Sequence, residues 1–409
     1  MSGGGTGASV LRQPLQVWAV AVACVVAFMG IGLVDPILPA IAESLQATPV
    51  QTELLFTSYL LVTALAMLVT SWISSRIGAK ATLLIGLALI VVFALFAGLS
   101  GSVEAVIGFR AGWGLGNALF ISTALATIVG AAAGGSGAAI MLYEAALGIG
   151  IAVGPLLGGL LGEVSWKWPF FGVSVLMAVA FVAIAILLRT KGEKRTPVAF
   201  SAPFRALGNP SLAILAVAAL FYNIGFFTLL AFSPFPLGFG AMGIGFTFFG
   251  WGIAVAITSV WVAPLMLKRM TRSTAMLITL PLLAIDLVVA GVLVTSPTAL
   301  VVCIIVGGLM LGIMNTVLTE SVMEATDLPR AVASSAYSAV RFLGGAAAPP
   351  LAAFLWHAAN ASVPYWVAAL AVLISAGAIL VGRPKLARID VREADEAEEG
   401  AAVLIGDAA

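Results

Sequence analysis

An all-α membrane protein, with twelve spanning helices in two pseudo-symmetric six-helix bundles, is what the sequence predicts. Three observations lead there. The 409-residue chain is 62% hydrophobic and only 9% charged, where a soluble domain carries about 25% charged residues. Apolar runs of the length that crosses a bilayer as a helix, about 20 residues, recur along it. Landmarks of the first half also return in the second at nearly one offset. With a mean hydropathy of +1.15, hydrocarbon is the natural solvent, and there every backbone N–H and C=O must be paired within the protein. Helices satisfy that demand segment by segment.

The first run starts near Val17 and ends in DPILPAIAE. It is too long for a signal peptide and lacks a small-residue cleavage site, so it is predicted to span. The next five start near Thr52, Ala81, Val103, Ser136 and Trp168. The polar stretch RTKGEKRTPVAFSAPFRALGNP then separates six helices from six, and the second set starts near Ser211, Gly245, Ser273, Thr298, Ala331 and Val363. The predicted organisation is an N-terminal tail (1–16), a bundle (17–189), a central loop (190–210), a second bundle (211–383) and an acidic, disordered tail (384–409). Ser71 to Arg76 aligns with Pro264 to Arg269, and Gly154-Pro155 with Ala348-Pro349, which suggests duplicated halves.

Loop charge orients the segments. With both termini in the cytoplasm, Arg76, Lys80, Arg189, Lys194, Lys268 and Arg330 all fall inside and only Lys167 faces out. That bias is the positive-inside pattern of a multi-pass plasma (inner) membrane protein. A net charge of +1 gives no reason to expect nucleic acid. Cys24 and Cys303 lie in apolar runs and read as small hydrophobes, neither disulfide partners nor metal ligands. With no phosphate-binding G-x-x-x-x-G-K-[ST] loop, metal cluster or nucleophile–base pair, neither an enzyme, an ATP-driven pump nor a bound cofactor is expected.

One apolar run concentrates poor helix formers: Gly150, Gly154, Pro155, Gly158 and Gly159. Interior glycine costs roughly 1 kcal/mol and proline about 3 relative to alanine. The four-residue spacing of Gly150, Gly154 and Gly158 puts them on one helix face. Such a face lets two backbones approach closely, and Pro155 adds a bend.

Twelve spans in two halves, a basic central loop and this segment together resemble the major facilitator superfamily from about Val17 to Arg383. Gly150, Gly154, Pro155, Gly158 and Gly159 match its fifth-helix antiporter motif, G-x-x-x-G-P-x-x-G-G, without a gap. That motif is similar to those of the drug:proton antiporter branches. Arg110-A-G-W-Gly114-L-Gly116 resembles the fourth-helix motif. SWISSRIGAK resembles the loop motif G-x-x-x-D-R-x-G-R-K: Arg76, Gly78 and Lys80 fit as a cytoplasmic gate, while Ser71 and Ser75 replace its glycine and aspartate. The loops and tail resemble those of actinobacterial-type drug exporters.

The resemblance implies a monomeric, proton-coupled exporter of hydrophobic or amphipathic compounds working by alternating access. The proton would be its coupling ion, and the glycine face would meet helix 11 at a hinge between the halves. Its rivals are a dedicated exporter of one endogenous metabolite such as a siderophore or antibiotic, a proton-coupled symporter, and a non-transporting ligand sensor.

Charges at bilayer depth are expensive and are functional candidates by default. Asp35 and Arg110 each lie about 9 Å from the outer surface at 1.5 Å per residue, so they can interact. Asp35 is the expected coupling carboxylate and a candidate substrate contact. Glu144, roughly 12 Å from the inner end of the fifth helix, is the second candidate, for a proton or a cationic substrate. Arg341 could balance Asp286 or Glu320; Glu320, Glu324 and Asp327 read as interfacial or gating residues, and His357 as a wet interfacial one. Tyr222, Asn223 and Phe226 fit the wall of an aromatic cavity, with Asn117 and Asn315 adding polar contacts. An apolar site with few fixed charges suits a hydrophobic or amphipathic substrate.

Overall fold

Local chemistry sets the helix ends in the computed structural model, which describes residues 13–34, 37–133, 135–188 and 197–390. The first half comprises α1 (Leu15–Gly32), α2 (Leu38–Ser44), α3 (Pro49–Ile77), α4 (Ala79–Leu99), α5 (Val103–Ala131), α6 (Gly135–Gly162) and α7 (Trp168–Leu187). A linker helix, α8 (Ala202–Ala206), leads to α9 (Pro210–Phe227), α10 (Pro234–Leu237), α11 (Ala241–Ile257), α12 (Ala263–Leu267), α13 (Arg272–Val292), α14 (Pro297–Glu324), α15 (Arg330–Ala358) and α16 (Val363–Gly382). Thr48 opens α3 with a capping box, its hydroxyl accepting from the Gln51 N–H while the Gln51 side chain accepts from the Thr48 N–H. Gly78 alone joins α3 to α4 at φ +93°, a conformation closed to most side chains.

Eleven helices among the described residues are long and apolar enough to cross a membrane, counting α9–α10 and α11–α12 as one each. The expected first span is shorter: α1 has 18 residues and closes at Gly32, and α2 opens at Leu38. Helices usually end at or before the residue preceding a proline, here Pro36. Spans seven and eight each contain a wide i→i+5 turn, at Thr228–Phe232 and Thr258–Val262. Each lies just ahead of a proline, Pro234 or Pro264, whose missing N–H leaves a carbonyl unpaired one turn back.

α1 and α3–α7 pack together as one bundle, and α9–α16 as the other. The bundles meet along two seams, α6 on α11 and α3 on α15. The helix ends carrying Arg76, Lys80, Lys268 and Arg330 form a basic end, opposite the far end.

The predicted disordered tail is corrected in its first residues. Arg383–Ile389 form a tight helical turn with Leu386 and Ile389 buried. Arg272 donates to the Ile389 carbonyl at 2.9 Å, and Asp390 accepts from the Ser273 N–H at 2.9 Å. The apolar Leu386 and Ile389, rather than the acidic residues after them, decide this. Residues 391–409 lie outside the described residues.

Candidate functional site

The buried ionisable residues sort into three places. The first spans the seam. Glu144 of α6 is completely buried, and its Oε1 accepts a 2.8 Å hydrogen bond from Thr319 of α14. Arg341 of α15 faces the same oxygen at 3.8 Å, a charge contact rather than a hydrogen bond. Its other Nη donates to Asn315 Oδ1 at 3.0 Å, and the Tyr222 hydroxyl lies 2.9 Å from that oxygen. A carboxylate of the first half is thus held by a hydroxyl and a guanidinium of the second. Among the described residues, Glu144 Oε2 has no hydrogen-bond partner. At 3.8 Å the two charges attract by about 4 kcal/mol at an effective dielectric of about 20.

This pairing corrects the expectation for Arg341, which meets neither Asp286 nor Glu320. Glu320 instead faces Arg272 at 3.7 Å, and Glu324 faces the same arginine at 2.9 Å. Asp286 lies beside Cys303 and Gly307 between α13 and α14. The Arg272 pairs and the Asp286–Cys303 contact lie within the second half, and Glu320 Oε1 also lies beside Gly137 of α6. Depth could have revealed the true pair: Glu144 and Arg341 lie nine and eleven residues from the basic ends of their helices.

The second place surrounds Arg110 of α5. Its Nε donates to the Leu55 carbonyl of α3, and its guanidinium carbon lies 5.1 Å from the Tyr59 ring and 5.5 Å from the Trp113 ring. Delocalised charge suits such aromatic faces. Asp35, its expected partner, lies outside the described residues.

The third place is aromatic. Phe226 packs on Trp251 at 5.6 Å and on Phe227 at 4.8 Å. Phe227 in turn meets Phe56 at 6.3 Å and Phe342 at 6.5 Å, so rings from both halves close over the level of Arg341. Of the expected cavity wall, Tyr222 and Asn315 join the Arg341 cluster, whereas Asn223 donates to its own helix at Ala219 (2.9 Å). Asn117 is fully buried, and neither its amide N nor its O has a partner among the described residues.

The antiporter-motif face is placed differently from expectation. A Cβ on Gly150, Gly154 or Gly158 would come within 2.3–2.5 Å of the Val25, Met29 or Leu33 carbonyl. That face therefore meets α1 inside its own half, not helix 11. Gly159 is buried alongside, and the Pro155 ring packs at Gly32. The seam uses the opposite face, where a Cβ on Gly252 of α11 would lie 2.2 Å from that of Ala152 and 2.6 Å from the Gly148 carbonyl. Positions 148 and 152 stand two residues off 150 and 154, which at 100° per residue turns them to the other side.

At the basic end Arg330 donates across the seam to the Val129 carbonyl at 3.0 Å. The gate residues bind locally. Lys80 donates to the Ala185 carbonyl at 2.7 Å. Arg76 lies 4.5 Å from the Trp72 ring centroid and donates to the Val198 carbonyl at 3.2 Å. Ser75, standing where the motif has aspartate, accepts from the Val198 N–H at 3.0 Å. The two side chains hold both polar groups of one linker residue.

At the far end the seam parts around a cavity of about 220 Å³. Sequence reasoning missed it, because its walls come from four distant stretches and carry no charge pattern. Stacked on Trp356 at 5.7 Å, His357 is exposed at its rim, as expected of a wet interfacial residue.

Known proteins give this geometry a context. The chain is 52% identical over 380 residues to the multidrug efflux protein YfmO of Bacillus subtilis, covering 93% of this chain and 96% of that one. It is 33% identical over 202 residues to the tetracenomycin C resistance and export protein of Streptomyces glaucescens, covering 48% and 37%. In fold it is similar to the human organic anion transporter MFSD10, with a TM-score of 0.75 at 18% identity, over 89% of this chain and 99% of that one. The profile of the Major Facilitator Superfamily matches residues 20–349. This multi-pass membrane protein belongs to the Major Facilitator Superfamily of transporters.

Proposed function

We propose that the protein exports hydrophobic or amphipathic compounds in exchange for protons, and that Glu144 carries the coupling proton. The observation behind this is the ion pair that joins the halves, Glu144 of one facing Arg341 of the other at 3.8 Å. The relatives named for multidrug efflux and tetracenomycin C export support the substrate class. The one-sided Lys/Arg distribution supports a cytoplasmic basic end, both termini inside and residence in the plasma (inner) membrane.

The chemistry follows from the pair. Ionised, Glu144 ties α6 to α14 and α15 about 13 Å from the basic end, alongside the Arg330–Val129 bond, and keeps that end shut. A proton arriving from outside neutralises the carboxylate and removes its attraction to Arg341. Arg341 stays with Asn315 in its own half, so only the weaker Thr319 hydroxyl bond still links Glu144 across the bundles, and the cytoplasmic side opens. Proton loss to the more alkaline cytoplasm and cargo binding then favour re-closure. One charge crossing the membrane field supplies about 2.3 kcal/mol per 100 mV, comparable with the attraction that each protonation removes. Asp35 keeps a proposed role as the outer proton entry point, with Arg110 tuning it.

Purified protein in liposomes with an imposed pH gradient and a hydrophobic fluorescent dye tests this. Dye is expected to move against the proton flow. Glu144→Gln is expected to abolish gradient-driven movement while dye-for-dye exchange continues. Normal gradient-driven movement by that variant removes Glu144 from the coupling role, and dye moving with protons overturns antiport.

A further inference from the structure

The far-end cavity has a composition that the ion pair does not explain. Its floor is the buried pair Phe56 and Phe232, one from each half. Its sides are Trp356 and the small Ala353 of α15, and its rim is the exposed Phe235 with His357. Phe232 and Phe235 approach Trp356 at 5.6 and 6.0 Å, leaving a pocket walled by aromatic rings on the second-half side. Among the described residues, no Lys, Arg, Asp or Glu lines it. The Thr52 hydroxyl donates its proton to the Thr48 carbonyl at 3.1 Å, so toward the cavity it can only accept. The volume, about 220 Å³, is below the roughly 300 Å³ at which sites for drug-sized ligands begin.

We infer that this cavity is a second ligand site, for compact, uncharged aromatic molecules that carry one hydrogen-bond donor, a phenol being the simplest. Aromatic walls take the ring by edge and face contacts, Thr52 accepts the donor, and the described lining residues offer an ion no Lys, Arg, Asp or Glu to pair with. Separation from the Glu144–Arg341 cluster comes from the Phe56–Phe227–Phe342 layer. The site's place in transport rests on the export reading: it is the last station before release. Because both halves line it, a molecule that lingers there wedges them apart and holds the carrier open at the far end.

Photolabelling with hydroxybenzophenone, on full-length protein in lipid nanodiscs, tests the site. Adducts are expected within residues 231–235 and 349–357, removed by excess naphthol. Ala353→Trp, which fills the pocket, is expected to cut labelling about tenfold, the change that 1.4 kcal/mol of affinity produces. Thr52→Val, nearly isosteric, is expected to weaken naphthol competition several-fold and guards against a folding defect in the larger substitution. Labels scattered over lipid-facing helices, indifferent to naphthol and to both variants, overturn the site. Dye transport by the same preparations separates the readings: transport without seam labelling overturns the site alone, and seam labelling without transport overturns export alone.

Discussion

Arg341 serves two oxygens, Glu144 Oε1 across the seam and Asn315 Oδ1 beside it, and a planar guanidinium presents a separate nitrogen to each where a lysine ammonium has only one. Arg341→Lys is therefore expected to keep the protein inserted but slow gradient-driven efflux about tenfold, equivalent to roughly 1.4 kcal/mol. Arg341→Met leaves a buried carboxylate without its cation, a loss of about 3–5 kcal/mol that a thermal melt in detergent reads directly. Adding Glu144→Gln should restore most of that loss, because the two residues are coupled. An exposed pair behaves differently. Arg388, donating to Asp327 Oδ2 at 2.8 Å, holds that carboxyl below its ordinary 3.8. A depressed carboxyl adds stability above its unfolded value and loses it as pH falls through the folded one. Arg388→Ala should thus increase hydrogen exchange in residues 383–389 at neutral pH and have no effect after acidification below the folded value. The sequence marked Glu144 and Arg341 as buried charges at similar depth, but depth alone could not exclude other partners, since residues so distant in the chain meet only through the fold.

α6 is a helix with two glycine-bearing faces, and the faces differ in what they join. Gly154→Val drives a side chain into the Met29 carbonyl, 2.5 Å from the new Cβ, and is expected to destabilise the first bundle by about 1–3 kcal/mol. Gly252→Val meets Ala152 at 2.2 Å between bundles. It is expected to leave each bundle folded, as judged by limited proteolysis, yet stop efflux by holding α6 and α11 apart. The four-residue glycine spacing was readable in the sequence, and so was the close backbone approach it permits. Which neighbour fills each face was not, because α1 and α11 offer similar small or backbone surfaces and spacing carries no partner information. The wide turns at Thr228–Phe232 and Thr258–Val262 were equally hidden: an apolar run reads the same with one extra residue per turn.

Across the whole molecule, each of the twelve predicted spans begins within four residues of its predicted start, Val103, Trp168 and Val363 at the residue itself, because hydropathy and bilayer thickness act through simple length. The tail and linker escaped that rule. They are short amphipathic pieces held by specific contacts, such as Leu386 and Ile389 in the base of the second bundle and Val198 between Ser75 and Arg76. Ser75→Ala removes one of the latter bonds, worth about 1 kcal/mol, and should speed protease cutting in the central loop without unfolding either bundle. The contact of α6 with α1 has a mechanical outcome. Gly150, Gly154 and Gly158 bring the two backbones together with no side chain to slide over, so the pair moves as one lever. Glu144 sits on one arm, and the other arm, α1, ends toward the far end at Gly32. In the proposed export cycle, a proton landing on a single oxygen deep inside is thereby felt along α1 toward the far end.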